Sequence, residues 1–332
     1  MKSRILGNTG EDVRELGLGT CFMAGQGQEG VNACVARAVD RGINYFDTAA
    51  DYGNGNDERM LGEALRGRRD KVFLATKVGG VEDSGGHRST ESLMNQFESG
   101  LCRLQTDHVD LIQLHEADQR KWWSDDKVSK EVAVSHGGPL IRDEETFDVP
   151  GSPCIEFLHK AKEQGKARFI GITGKDARRL ARLVRATSFD SMMVAHQYNP
   201  IYRNAARFLL PLTQKEGVGV AGGAMFMKGW LAVVQTDWRG QSPDWMDEDF
   251  RRAYFRYLDI QAASGVPLPE LTLRWLLGEQ RINCIVTGFR AWNEIESNIN
   301  AIEQGPLPAD LQSEIDAVGI VHPLIYQRRS TL

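Results

Sequence analysis

The sequence contains few cysteines and no closely spaced cysteine pair. They lie at five scattered positions: Cys21, Cys34, Cys102, Cys154 and Cys284. An odd number without a Cys-x-x-Cys motif argues against the common zinc sites and against a disulfide framework. The pattern therefore predicts reduced thiols, as in the cytoplasm, and no metal site.

The sequence also lacks a long apolar run and a large charge of one sign. No window approaches the roughly 18 consecutive apolar residues of a membrane helix, and residues 1–10 lack the apolar core of a signal peptide. The formal net charge of -5 gives no reason to expect nucleic acid or an anionic membrane as a partner. These features predict a soluble, cytoplasmic protein.

What the sequence does contain is a regular alternation of strand-like and helix-like segments along 332 residues. Predicted barrel strands cover residues 16–20, 43–46, 72–76, 109–114, 167–172, 192–196, 218–221 and 283–286. Predicted helices cover residues 31–41, 57–66, 90–104, 154–163, 176–186, 204–216, 247–278, 292–302 and 309–318. This alternation is typical of the α/β class and of a (β/α)8 TIM barrel. We expect one domain over residues 1–332, with an N-terminal β-hairpin turning at residues 7–10 and a C-terminal helix and tail.

One connection breaks the alternation. Residues 116–150 follow the fourth barrel strand and form a long, charged segment rich in turn residues. Because long loops inside compact domains are often lids, we expect this segment to cover the substrate. Trp122 and Trp123 near its start would either line the substrate pocket or anchor the loop.

Three predicted strands end at ionisable residues, namely Asp47, Lys77 and His115. In a parallel barrel the carboxyl ends of the strands meet at the face where enzymes place their active sites. Tyr52 follows Asp47 by five residues and would lie in the loop above that face. Each residue alone has a structural explanation, such as a cap or a core histidine, but the combination predicts a proton donor for carbonyl reduction. The remaining histidines are assigned no role: His87, His108, His136, His159, His196 and His322.

Four segments of the chain carry a resemblance to the aldo-keto reductases. The segments are residues 44–53 with 58–65, residues 109–115, residues 165–172, and residues 288–290 with 296–298. In chain order, they are similar to the first signature of that family, its central signature, its strand with the pattern GKVRxIGVS, and its C-terminal cofactor segment. The similarity extends over about residues 4–302.

The resemblance implies a barrel that binds a nicotinamide cofactor without a Rossmann fold, with Asp47, Tyr52, Lys77 and His115 as its catalytic tetrad. A tyrosine hydroxyl has an ordinary pKa of about 10, and the Lys77 ammonium would lower it. Asp47 would hold Lys77, His115 would orient the substrate oxygen, and Tyr52 would exchange a proton as hydride moves. We therefore predict an NAD(P)(H)-dependent oxidoreductase acting on an aldehyde, ketone or sugar.

Two alternatives stay open at this point. Thr173-Gly174 stands where the family often has Ser-Asn, and this pair resembles a bacterial branch and the sugar 1-dehydrogenases. An NAD-dependent sugar 1-dehydrogenase is therefore one alternative. The other is a cofactor-binding regulatory subunit with little turnover, because potassium-channel β-subunits resemble the same family. A homo-oligomer is compatible with the sequence.

Further cofactor contacts are expected at the later strands. Thr173 would bond the nicotinamide carboxamide, and Gln197 would do so from the sixth barrel strand, although Ala195 aligns better with the family glutamine. Tyr198 is the candidate to stack on the nicotinamide ring. Lys228 would bind the pyrophosphate or serve only as a turn lysine.

The C-terminal cofactor segment bears on the choice between NADP(H) and NAD(H). Gly288 stands where many family members have lysine, Glu294 lies near their arginine position, and Asn298 matches the family pattern. Arg290 is the remaining cation and can bind a phosphate bidentately, whereas a glutamate suits a free 2′-hydroxyl. We expect NADP(H), with NAD(H) as the alternative.

Overall fold

The chain begins with a small hairpin. The computed structural model describes residues 1–79, 89–123 and 140–321. Strands β1 (Ser3–Ile5) and β2 (Asp12–Arg14) pair antiparallel, and a short 3-10 helix at Gly7–Thr9 joins them. The backbone N–H of Asn8 donates to the carbonyl of Gly217 at 2.8 Å, which ties the turn to the barrel. The predicted hairpin is confirmed.

Eight parallel strands form a closed barrel. They are β3 (Leu16–Gly19), β4 (Tyr45–Asp47), β5 (Phe73–Val78), β6 (Val109–Leu114), β7 (Ala167–Gly174), β8 (Ser191–Ala195), β9 (Gly219–Gly223) and β10 (Cys284–Gly288). Each strand pairs with the next along the chain, and β10 pairs with β3 to close the ring. The predicted (β/α)8 barrel is confirmed.

Helices cover the outside of the barrel. They are α1 (Gly27–Asp40), α2 (Asn56–Ala64), α3 (Thr90–Leu104), α4 (Pro153–Glu163), α5 (Ala177–Ala186), α6 (Asn204–Phe208), α7 (Leu210–Glu216), α8 (Glu248–Ser264), α9 (Leu268–Leu277), α10 (Trp292–Glu303) and α11 (Ala309–Asp316). Amphipathic α3 illustrates how they form: Ser89 caps its N-terminus by accepting from the N–H of Ser92, and Leu93, Phe97 and Leu101 are buried against the barrel side.

Two predicted helices are divided in the structure. The segment 204–216 separates into α6 and α7, because Pro211 removes a backbone donor and sits at the start of the second helix. The segment 247–278 breaks after α8, where Gly265 adopts φ 68°, and Pro267 then precedes α9. Both breaks occur at residues that cannot continue a helix without cost.

The interior of the barrel is packed and closed at its amino-terminal end. A separate buried cluster fills the inside: Leu6, Val13, Tyr45, Phe73, Ala75, Leu111, Met193, Ala221, Cys284 and Val286. Leu6 and Val13 belong to the hairpin region, so the hairpin covers the bottom of the barrel. The open face is therefore the carboxyl-terminal one, where barrel enzymes carry their active sites.

The long connection after β6 is described at its two ends. Residues 116–123 include a 3-10 helix at Arg120–Trp122, and Gln119 forms an isolated antiparallel bridge with Leu140. Residues 124–139, the middle of the predicted lid, lie outside the described residues, as does the tail 322–332.

Candidate active site

The predicted catalytic residues lie at the carboxyl ends of neighbouring strands. Asp47 ends β4, Lys77 lies near the end of β5, and His115 directly follows β6. Residues two or four positions before them fill the barrel interior: Tyr45, Phe73, Ala75 and Leu111. Because side chains alternate along a strand, Asp47, Lys77 and His115 share that inward orientation one layer above the core.

Asp47 and Lys77 form a buried ion pair. The Lys77 Nζ lies 2.5 Å from Asp47 Oδ1, and it also donates to the carbonyl of Thr48 at 2.7 Å. Gln113 donates to the second oxygen of Asp47 at 3.3 Å. Burial alone would lower the pKa of Lys77, but Asp47 and Tyr52 outweigh it and raise that pKa above its ordinary value. Lys77 is therefore an ammonium at neutral pH.

Tyr52 completes this cluster from the loop after β4. Its hydroxyl oxygen lies 3.3 Å from the Lys77 Nζ. The backbone after it turns through three successive left-handed residues, Gly53 (φ 56°), Asn54 (φ 54°) and Gly55 (φ 80°). Glycine and asparagine tolerate this region best, so the composition of the loop permits the sharp turn that brings Tyr52 over the strand ends.

The Tyr52 loop is fixed from below by Glu58, which sequence reasoning did not single out. The Glu58 carboxylate accepts from Thr76 at 2.6 Å and from the Arg103 Nε at 2.7 Å. The Arg103 side chain in turn lies against Gly55, where a Cβ would come within 2.7 Å of its Cδ. One buried acid thus joins β5, α3 and the loop that carries Tyr52.

Lys77 acts on Tyr52 in the predicted direction but does not dominate. Burial raises the pKa of Tyr52 above its ordinary value, and the Lys77 ammonium only partly offsets that effect. The predicted effect of Lys77 on the Tyr52 pKa is present, but burial, which the sequence analysis did not consider, is the larger effect and determines the net direction. Tyr52 is a neutral phenol that can donate a proton.

His115 contacts a second carboxylate, Asp51, that the sequence analysis missed. The His115 Nδ1 lies 3.2 Å from Asp51 Oδ1, and the two side chains are 8% and 6% exposed. The His115 ring stands edge-on to Tyr52, with ring centroids 5.7 Å apart. Burial lowers the pKa of His115, and Asp51 opposes this effect. An acid directly before Tyr52 was the available sequence signal.

Trp122 and Trp123 hold the backbone that carries His115. Trp122 donates from its indole N–H to the carbonyl of His115 at 3.1 Å, and Trp123 donates to that of Ala117 at 2.7 Å. Both side chains are buried. Trp122 packs directly on Gly79, where a Cβ would lie 2.2 Å from the indole. Of the two predicted roles, this geometry favours anchoring over lining a substrate pocket.

Strained backbone is concentrated at the open face. Among the described residues other than glycine, most of those with positive φ follow barrel strands: Glu116, His196, Ala224, Met227 and Lys228. Such conformations persist only where the surrounding structure enforces them, and they cluster at functional sites. His196 is buried, and burial together with Lys175 and Lys228 lowers its pKa to about 3.

Comparison with known proteins identifies the family. The model of the aldo/keto reductase family matches residues 15–320. The chain belongs to that family. A solved structure similar to it is the aldo-keto reductase AKR11C1 from Bacillus halodurans in its holo form, at 25% identity and a TM-score of 0.75, with 99% of this chain and 100% of that chain covered.

Two curated relatives of this aldo/keto reductase are dehydrogenases. L-galactose dehydrogenase from Arabidopsis thaliana is 26% identical over 95% of this chain and 93% of its own length. Pyridoxal 4-dehydrogenase from Microbacterium luteolum is 25% identical over 96% of this chain and 98% of its own length. Together with the family match, they support an enzyme, an NAD(P)-dependent oxidoreductase of small molecules, rather than a regulatory subunit.

The strands opposite the tetrad offer polar groups that fit a nicotinamide cofactor. Thr173 is buried, and its hydroxyl accepts from the N–H of Glu116 at 3.0 Å. The Gln197 side-chain oxygen accepts from Asn204 at 3.1 Å, while its buried Nε2 has no hydrogen-bond partner within the described chain. A buried unsatisfied donor fits a polar ligand.

Tyr198, the candidate to stack on the nicotinamide, makes an aromatic contact within the protein. Its ring stacks on Trp275 of α9, with centroids 4.9 Å apart. The Arg203 guanidinium lies 4.1 Å from the Trp275 ring and 5.9 Å from the Tyr198 ring. The aromatic face of Tyr198 is thus used in packing the helix layer, which the sequence prediction did not foresee.

The C-terminal cofactor segment has an ion pair at its exposed end. The Arg290 side chain is 75% exposed, and its Nη2 lies 3.2 Å from Glu294 Oε1. The backbone N–H of Arg290 also donates to Glu294 at 2.8 Å. Gly288 is exposed at the end of β10, and the buried Asn298 donates to Thr287 at 3.3 Å. Lys228 lies exposed in the loop after β9.

In residues 1–79, 89–123 and 140–321 no helix has the length and apolarity to cross a membrane. In the same ranges no group of three or more His, Cys, Asp or Glu side chains is arranged to hold a metal ion.

Proposed function

We propose that this aldo/keto reductase transfers hydride between a nicotinamide and a carbonyl or alcohol carbon, with Tyr52 as the proton donor and acceptor. The observation that carries the proposal is the chain of contacts from Asp47 through Lys77 to the Tyr52 hydroxyl, at 2.5 Å and 3.3 Å. A tyrosine linked to a buried ammonium can give up a proton and leave a stabilised phenolate.

The residues of the chain divide the work of carbonyl reduction. Tyr52 donates its proton to the substrate oxygen, and the negative charge left on its oxygen is stabilised by Lys77. Asp47 keeps Lys77 charged and in position, while His115 orients the substrate oxygen. The nicotinamide, when bound, supplies the hydride. In the oxidation direction the Tyr52 phenolate removes the hydroxyl proton.

The deciding experiment replaces Tyr52 with Phe, which removes the hydroxyl and keeps the ring. We expect loss of turnover with unchanged cofactor affinity, followed by tryptophan fluorescence. The matched control is Tyr257→Phe, since the buried Tyr257 hydroxyl pairs with the Thr272 hydroxyl at 2.8 Å between α8 and α9. Turnover by Tyr52→Phe at the level of the control would refute the proposed role.

For the cofactor we propose NADP(H), with NAD(H) as the alternative. An exposed ion pair contributes only about 0–1 kcal/mol, so a 2′-phosphate can recruit Arg290 away from Glu294. The same Glu294 would repel that phosphate and suit a free 2′-hydroxyl. Separate titrations with NADPH and NADH decide between them: tighter NADPH supports binding by Arg290, and tighter NADH assigns the selectivity to Glu294.

A sugar 1-dehydrogenase is the second candidate for the substrate class. It is supported by Thr173-Gly174 in place of Ser-Asn and by two relatives named for sugars, L-galactose dehydrogenase and D-threo-aldose 1-dehydrogenase from a Pseudomonas species. The test compares oxidation of aldoses by NAD and NADP with reduction of aldehydes by NADPH and NADH. A cytoplasmic location and a homo-oligomer stay predictions, to be checked by fractionation and by light scattering.

A further inference from the structure

Phe22 is the one aromatic side chain among the exposed large hydrophobic residues of the part of the chain that the structure describes. These residues are Ile5, Phe22, Val233, Val234 and Val321. Phe22 lies in the loop after β3, at the open face of the barrel, and is 61% exposed. A single exposed apolar residue is ordinary in itself. Phe22 differs because the structure holds it in one position, beside backbone that carries no side chain.

The loop that carries Phe22 is a tight turn anchored on both sides. The backbone N–H of Thr20 donates to the carbonyl of Asp47 at 3.0 Å, and the Thr20 hydroxyl donates to that of Thr48 at 2.9 Å. The N–H of Met23 closes the turn by donating to the carbonyl of Thr20 at 2.9 Å. Thr20 and Met23 are both fully buried. The turn therefore presents Phe22 to solvent from a fixed position beside β4.

The Phe22 ring lies against glycine backbone at the ends of two strands. Gly19 ends β3, Gly288 ends β10, and the two residues are paired in the register of these neighbouring strands. A Cβ at Gly288 would lie 2.9 Å from Phe22 Cδ2, so a side chain at that position would displace the ring. Gly288 is itself exposed, and glycine permits a close approach of backbone to a ligand. The ring and the exposed backbone together form a surface on which a flat group can lie.

We propose that Phe22 stacks on the adenine ring of the dinucleotide. The proposal rests on the proposed cofactor site, in which Arg290 or Glu294 meets the 2′-group of the adenosine ribose. Adenine is attached to the ribose carbon next to the 2′-carbon. A 2′-group held by Arg290, two residues after Gly288, therefore places the base close to Gly288 and to the ring that packs on it. Every base has a π-face on which an aromatic side chain can stack.

The role of Phe22 differs from that of Arg290 and Glu294. Those two residues distinguish a 2′-phosphate from a 2′-hydroxyl, whereas adenine is the same in NADP(H) and NAD(H). Phe22 should therefore contribute equally to the affinity for both dinucleotides. It sets how tightly a dinucleotide is held, and not which one is preferred.

The test is isothermal titration calorimetry of the whole chain with both dinucleotides and with their halves. The ligands are NADPH, NADH, the adenosine fragments AMP and 2′,5′-ADP, and the nicotinamide fragment NMNH. Phe22→Ala should raise the Kd for NADPH and for NADH by a common factor of about 5- to 150-fold, the range for removal of a stacking aromatic. The adenosine fragments should weaken likewise, and the Kd for NMNH should stay unchanged. Phe22→Trp should restore the affinity, because indole is also a stacking ring.

Ile5→Ala is the matched control, because Ile5 is an apolar residue that is 52% exposed on the hairpin, at the opposite end of the barrel. It should leave every Kd unchanged. Unchanged Kd values for NADPH and NADH in Phe22→Ala, or an equal rise in the Kd for NMNH, would overturn the proposal. If the wild type binds a dinucleotide and Phe22→Ala binds it equally well, only the stacking is refuted. A wild type that binds neither dinucleotide would refute the proposed function as well.

Discussion

The Asp47–Lys77 pair is the most heavily buried ion pair of the site, and replacing Asp47 with Asn tests what it contributes. The substitution keeps the shape of the side chain and removes its charge. The Asp47 and Lys77 side chains are only 3% and 1% exposed, so water cannot replace the lost carboxylate. Lys77 would then be a buried ammonium without its counter-charge.

The size of the effect follows from burial. Breaking a buried pair by removing one partner costs about 3–5 kcal/mol. For a chain of 332 residues the entropy of unfolding is about 0.7 kcal/mol per degree, at roughly 2.1 cal/mol/K per residue. Asp47→Asn should therefore lower the apparent Tm by about 4–7 °C.

The assay is thermal unfolding at pH 7 and a fixed scan rate, with two comparison variants. The double variant Asp47→Asn/Lys77→Met removes both charges and should recover most of the loss. Asp259→Asn breaks a pair with Arg239 in which both side chains are more than half exposed, and it should cost less than about 1 kcal/mol. If Asp47→Asn melts within about 1 °C of the wild type, or no lower than the double variant, the reasoning from burial is wrong.

Three further substitutions test other parts of the structure. His196→Asn puts asparagine, which tolerates positive φ, at this position. Burial lowers the pKa of His196 to about 3, below the ordinary value of about 6.5. The contribution of the neutral ring to the free energy of unfolding is therefore complete above about pH 6.5 and is lost as the pH falls, by up to about 1.4 kcal/mol per pH unit. Urea unfolding at pH 7 and 4.5 should show a smaller acid loss in the variant. Gly55→Ala should lower the free energy of unfolding by about 1–2 kcal/mol and should reduce kcat by displacing Tyr52. Gly265 is also left-handed but has open space around it, so Gly265→Ala should lower the stability and leave kcat unchanged. Glu294→Gln should lower the Kd for NADPH about fivefold and leave the Kd for NADH unchanged in fluorescence titrations. An equal change in both Kd values would contradict the proposed role of Glu294.

The sequence was sufficient to predict the barrel and the convergence of Asp47, Tyr52, Lys77 and His115 at one face. The strand Val109–Leu114 and the helix Thr90–Leu104 were predicted with their observed bounds, because apolar periodicity and a serine cap mark them clearly. Asp47, Lys77 and His115 could be brought together because parallel strands place their carboxyl ends at one face. That argument needs only the position of each residue at a strand end.

The contacts made by loops could not be predicted in this way. The Asp51–His115 and Glu58–Arg103 contacts depend on three left-handed residues after Tyr52, whose combined turn no local pattern specifies. After β8 the same difficulty recurs, since His196 at φ 64° ends the strand alternation. The orientation of Tyr198, and its contact with Trp275, therefore could not be predicted by counting residues along the strand.

The hairpin at the amino-terminal end has a kinetic consequence. Since Leu6 and Val13 cover the bottom of the barrel and side chains fill its interior, every molecule that reaches Asp47, Lys77 or Tyr52 within the described chain arrives and departs through one mouth. Two ligands that share a single entrance cannot pass each other. The ligand that binds deeper must enter first and leave last, so steady-state kinetics should show a compulsory order of binding. The product that leaves last should then inhibit competitively only against the substrate that binds first.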